Sequence, residues 1–77
     1  MWKWTVEYKK DVITVENKAT KCLLYVNGRE VDCQKGMVSG SLIGKTSSGE
    51  SIKAILTVGL IKVYCNIYID DVKVFNN

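Results

Sequence analysis

Lys62, Tyr64, Asn66 and Tyr68 fall on alternate positions of one apolar-rich run, so a strand there would set all four on one face. Aromatic rings alternating with an amide and an ammonium can stack on sugars or bases while the polar groups bond to their edges. Tyr25 holds the place of Tyr68 in a second segment of similar pattern and joins the set. These five residues are the candidate ligand or partner surface. Tyrosine also favours strands as plain cover for a half-exposed sheet, so the same stripe serves packing equally well.

Other chemistry is poorly supplied. The chain contains no histidine, which removes every Ser–His and Cys–His catalytic pair. Its three cysteines include no Cys-x-x-Cys, and with no histidine they make no zinc-type ligand set. Glu7, Glu16, Glu30 and Glu50 fall at strand ends or on outer faces, with no sign of a shared cleft. Gly44-Lys45-Thr46 has the closing tripeptide of a phosphate loop, but the first glycine at the required spacing and the helix are missing. We assign no catalytic residue, no metal and no cofactor, and expect the chain not to be an enzyme.

The elements that would position the stripe come in two similar sets. Residues 22–31 and 65–74 read as copies of one hairpin, at the offset of 43 residues that separates Cys22 from Cys65. The same offset pairs Ile13-Thr14-Val15 with Leu56-Thr57-Val58, which suggests one β unit made twice, over about 1–34 and 44–77. Trp2, Trp4, Val6 and Tyr8 alternate with Lys3, Thr5 and Glu7 in a first strand, and at least one tryptophan is expected in the core. Val12 to Glu16 give a second strand. Asn27-Gly28 lies between two alternating runs, and both residues accept the positive φ of a type I′ turn. That turn predicts Tyr25 opposite Glu30, Leu24 opposite Val31, Leu23 opposite Asp32 and Cys22 opposite Cys33, with Val31 and Cys33 facing the core. A Cys22–Cys33 disulfide is then sterically conceivable, although three buried thiols suit a cytosolic chain better.

Met37 to Lys45 read as a weaker strand, with Gly40 marking a bulge or a close approach. Ile52, Ala54 and Leu56 share one side of the next strand. Leu60 to Ile69 read as the longest, with Ile61, Val63, Cys65, Ile67 and Ile69 facing the core; Asp70-Asp71 then turns the chain into Val72–Phe75. Eight strands with short links and no helical period imply an all-β single domain over 1–77. It is a small antiparallel eight-stranded sandwich or barrel made from two similar four-stranded halves.

Composition agrees. At 77 residues and 47% hydrophobic content, the chain can build one small core, and the absence of proline leaves every strand donor in place. A net charge of +3 spread along the sequence reads as a solvated surface rather than a nucleic-acid footprint. No stretch is long and apolar enough to span a bilayer, so no membrane partner is expected. The start, Met1-Trp2-Lys3-Trp4-Thr5, lacks the apolar core of a signal peptide, which places the chain in the cytoplasm.

Ile13-Thr14-Val15-Glu16-Asn17, a polar loop, and then Leu24-Tyr25-Val26-Asn27-Gly28-Arg29-Glu30-Val31 resemble the Fas apoptosis inhibitory molecule family. Its members carry an Ile-x-Phe-Glu-like strand and a Tyr-Val-Asp-Gly-Lys-Glu hairpin, with an upstream tryptophan that Trp2 or Trp4 matches. The resemblance covers about a third of the chain, which is shorter and lacks the Trp-rich later strands of that family. It implies a compact, non-catalytic β domain acting through protein contacts. The functional expectation is therefore a small interaction module that binds a protein partner or self-associates. The alternative is a carbohydrate- or nucleic-acid-binding module using the Tyr/Asn/Lys stripe.

Overall fold

The structure, a computed structural model, describes residues 2–36 and 40–77. Eight strands follow one another: β1 (Trp2–Tyr8), β2 (Asp11–Asn17), β3 (Lys21–Val26), β4 (Arg29–Lys35), β5 (Gly40–Lys45), β6 (Ser51–Val58), β7 (Val63–Ile69) and β8 (Val72–Asn76). They form two antiparallel meanders, β1-β2-β3-β4 and β5-β6-β7-β8, and the sheets stay separate rather than closing into a barrel. The all-β, two-sheet fold expected from the alternation is the fold observed. No helix among the described residues is long and apolar enough to cross a membrane.

Period two decides what is inside. Trp4, Ile13, Val15, Cys22, Leu24 and Val26 from the first sheet meet Leu42, Ile52, Ala54, Leu56, Val63, Cys65, Ile67 and Ile69 from the second. Val6, Tyr8, Val74 and Phe75 pack around the rim of this layer. Trp2 stacks on the buried Trp4, with ring centroids 6.3 Å apart, and remains half-exposed.

The two-residue turns are alike. Asn27 and Gly28 have φ of 53° and 82°, Asp70 and Asp71 of 47° and 68°. An aspartate pair pays a steric cost in that region that Asn-Gly largely avoids. A second bond offsets it: Asp70 Oδ1 accepts the Ser51 N–H at 2.9 Å, and the Asp70 N–H donates to the Ser51 carbonyl at 2.9 Å. Asn27 does the same with Val12, accepting at 2.9 Å through Oδ1 and donating its N–H at 2.8 Å.

Beyond each turn the register departs from the simple hairpin. Tyr25 opposes Glu30, but Leu24 opposes Asp32, so Val31 is an extra residue. Tyr68 opposes Lys73 while Ile67 opposes Phe75, so Val74 is the extra residue there. This corrects the expected pairing in the first hairpin. Leu23 opposes Cys33 and Cys22 opposes Gln34; Val31 is 39% exposed and Cys33 is exposed rather than core. A bulge twists and bends its strand, and turn chemistry alone does not foretell it. Here the bend serves a purpose. Asp32 Oδ2 accepts the Ile43 N–H at 2.8 Å and Oδ1 accepts the Cys33 N–H at 2.8 Å, tying β4 to β5 across the corner between the sheets. The approach is close enough that a Cβ on Gly44 would lie 2.9 Å from Val31 and 3.1 Å from Leu24.

Other expectations also shift. The fifth strand begins at Gly40, beside the Gln34 side chain, and Met37, Val38 and Ser39 lie outside the described residues. Leu60 and Ile61 are not strand residues. They form the β6–β7 turn, closed by Gly59 N–H donating to Lys62 O at 2.8 Å. By register Ile13 opposes Val26 as Ile52 opposes Ile69, so Ile13 and Val15 match Ile52 and Ala54 rather than Leu56 and Val58. The mismatch arises because the β6–β7 ladder runs two pairs further out, through Thr57–Tyr64 and Val58–Val63.

Leu24 and Ile67 are fully buried at matching places, whereas Tyr25 and Tyr68 are half-buried on the outer faces. Leu24→Ala or Ile67→Ala should cost about 2–5 kcal/mol in urea unfolding, and truncating either tyrosine clearly less. Equal costs would place the tyrosines inside. The thiols offer a second check. Cys22 is buried next to Asn17 Nδ2, 3.2 Å from its sulfur, and burial, with Cys22 nearby, pushes the Cys65 thiol up to about 12. A native thiol-reagent titration should find one fast cysteine, Cys33, and three after denaturation. Two fast native thiols would contradict the observed register.

Candidate functional site

Strand β7 turns Tyr64, Asn66 and Tyr68 to the outer face of the second sheet, and Lys62 enters from the preceding turn. Across the ladders Thr57 opposes Tyr64, Ile55 and Asn76 flank Asn66, and Lys53 and Lys73 flank Tyr68. Both rings are already engaged. The Lys62 ammonium sits 4.9 Å from the Tyr64 centroid and donates to Asn77 Oδ1 at 2.9 Å, while Lys73 lies 5.8 Å from the Tyr68 centroid. Asn66 Oδ1 is buried and accepts no hydrogen bond among the described residues, which leaves one acceptor in the row unsatisfied.

Tyr25 does not join them. It lies on the outer face of the other sheet, in a shallow hollow of about 310 Å³ shared with Lys3, Thr14, Glu16 and Gly28. Its phenol is pushed up by desolvation and by the Glu16 and Glu30 carboxylates. The five-residue set is thus four residues on one side of the sandwich and one on the other. Leu23, on the same outer side of β3 as Tyr25, is 2% exposed despite facing away from the shared core.

The most organised polar structure lies at the opposite end from the β6–β7 turn, and sequence reasoning missed it. Asp11 is buried at the start of β2. Its Oδ1 accepts from Asn27 Nδ2 at 2.9 Å, and its Oδ2 accepts the Ser47 N–H of the β5–β6 loop at 2.9 Å. Glu50, entering β6, reaches the other way: Oε2 accepts the Tyr8 hydroxyl at 2.9 Å and sits 3.4 Å from Lys9 Nζ. Each sheet therefore sends one carboxylate to the first turn region of the other. The partners lie 36 and 42 residues apart in sequence, so no local pattern announces them. Between the β3–β4 turn and the β5–β6 loop these contacts frame a cleft of about 320 Å³, with Asn27, Arg29, Lys45 and Ser47 on its walls. Among the described residues no three His, Cys, Asp or Glu side chains converge as a metal site would require.

The donated hydrogen bonds from Ser47 and Asn27 hold the Asp11 carboxyl below its ordinary value. Because the native value is lowered, Asp11 stabilises the fold above about pH 4, where an unfolded aspartate is ionised, and that contribution is lost as pH falls through the lowered native value. Asp11→Asn, which cannot accept both donors, should lower the urea midpoint at neutral pH and flatten its decline on acidification. An unchanged acid limb would show that Asp11 carries none of it. Compared with family models, with curated proteins and with solved structures, the chain finds no match.

Proposed function

We propose that the chain is a non-catalytic interaction module that offers the free edge of β1 to a strand of a protein partner or of a second copy. The observation that carries this is the asymmetry of the two sandwich corners. At one corner β4 and β5 cover each other through Asp32 on the Ile43 N–H and Gln34 against Gly40. At the other, no hydrogen bond among the described residues joins β1 to β8. Strand β8 is only five residues long, and short edges resist pairing; β1 has seven. An open edge supplies a row of backbone donors and acceptors that a partner strand can complete. The resemblance to the Fas apoptosis inhibitory molecule family points the same way.

The polar groups nearest to a catalytic set, Tyr8, Lys9 and Glu50, are spent on one another at the sheet junction. The β7 stripe gives less support to sugar or nucleic-acid binding, because Lys62 already covers one face of Tyr64 and Lys73 one face of Tyr68.

Thr5 tests the edge. It opposes Thr14, with the hydroxyls 3.5 Å apart, in a ladder whose two-residue turn joins Tyr8 to Asp11. In that alternation the Thr5 N–H points away from β2. Thr5→Pro should keep the fold yet abolish concentration-dependent association, or capture of a strand-donating partner, in sedimentation equilibrium. Association that survives the proline would move the interface off β1.

A further inference from the structure

Leu60 and Ile61 are 105% and 90% exposed at the tip of the β6–β7 turn. The fold does not ask for this. In the other sheet the equivalent turn between β2 and β3 is closed the same way, Lys18 N–H donating to Lys21 O at 2.8 Å, and its tip is Ala19-Thr20. Gly59 N–H donates to Lys62 O at the same 2.8 Å, with Leu60-Ile61 at the tip. One architecture thus carries a small alanine–threonine tip in one half and two bare, larger aliphatic side chains in the other. The longer β6–β7 ladder also pushes the aliphatic tip outward.

The surroundings of the tip are basic. The registers bring the start of β1, the β2–β3 turn and the end of β4 together, and the approach of Gln34 to Gly40, which pairs with Leu56 of β6, sets the β6–β7 turn at the same end of the sandwich. That end holds Lys3, Lys18, Lys21, Lys35 and Lys62, and Glu16 is its one acid. Glu16 is shared between Lys3 at 3.9 Å and Lys18 at 3.8 Å, which leaves the end strongly cationic. Asp32 lies nearer the middle, in the row of Trp4 and Leu24, with its oxygens on the Cys33 and Ile43 N–H groups. The remaining Asp and Glu lie from the middle row to the far end, among Lys9, Lys10, Arg29, Lys45, Lys53 and Lys73. Half-exposed Trp2 and Tyr64 stand at the basic end, and both ring types favour a boundary between apolar and polar media.

We propose that this end docks on an anionic bilayer surface, with Leu60 and Ile61 inserted among the lipid chains and the five lysines against the headgroups. Two aliphatic side chains are far too little area for a stable protein interface, which takes about 800 Å² from each partner. A bilayer accepts a narrow apolar wedge and adds electrostatic attraction around it. The sequence reading expected no membrane partner because no segment could span; a wedge at the headgroup level needs no span. The inference is independent of the β1 edge.

The test is sedimentation of the whole chain with phosphatidylcholine vesicles, with and without one third phosphatidylserine. Binding to the anionic vesicles should exceed binding to the neutral ones by about tenfold or more and weaken with salt. Leu60→Ser/Ile61→Thr should cut it about tenfold with an unchanged unfolding midpoint, since neither side chain is buried, and Lys18→Glu/Lys21→Glu/Lys35→Glu should do likewise. Thr5→Pro should bind vesicles as the parent does, which separates this result from failure of the edge reading. Equal sedimentation with both vesicle types, or full binding by the tip variant, would overturn the proposal. So would a solution dimer that the tip substitutions dissolve while vesicle binding persists, which would assign the tip to a second copy.

Discussion

Asn27 and Asp70 each turn the chain with positive φ and each also bind a third strand, Val12 in one sheet and Ser51 in the other. Two ladders are fixed by one residue in each case. In a sheet with one buried face, a slip of one position would turn every core side chain to solvent. A chain of this size has only one apolar layer to lose. The Asn27 amide oxygen and the Asp70 carboxylate help pin the register that buries Ile13, Leu24 and Val26 in one sheet and Ile52, Ile67 and Ile69 in the other.

The strands were legible in the sequence because burial on one face imposes a period of two, and Trp4, Ile13, Val15, Ile52, Ala54 and Ile67 keep it. Asn27-Gly28 was legible because few residue pairs accept two positive φ values. The bulges at Val31 and Val74 were not. A valine reads as core in any alternation, and only the tie between Asp32 and Ile43 shows why β4 must bend. Leu60 and Ile61 failed for a related reason: an aliphatic pair continuing a strand pattern looks like strand, and solvent exposure leaves no mark in the letters. The carboxylate exchange between sheets was invisible because Asp11 and Glu50 meet partners that lie a half-chain away.

The candidate surface suffered the same limit. Alternation correctly set Lys62, Tyr64, Asn66 and Tyr68 along one side, but it could not say that Tyr25, at the matching place, faces the opposite direction in space. Two sheets packed face to face turn equivalent outer positions away from each other. A sandwich of two such sheets therefore has two separate outer faces rather than one large one, and the two differ: one carries a tyrosine-lined hollow, the other a lysine-capped tyrosine row.

The exchange of carboxylates between the sheets also bears on how the molecule assembles and comes apart. Each sheet is a meander of neighbouring hairpins, so its pairings close short loops and can form early. The Tyr8–Glu50 and Asp11–Ser47 contacts close loops of 42 and 36 residues and need both sheets already in place. Interactions absent from the transition state act on the unfolding rate and leave the folding rate nearly untouched. If the two contacts form only after the transition state, the two acids would serve as a latch, adding little to how fast the sandwich closes and slowing how fast it opens.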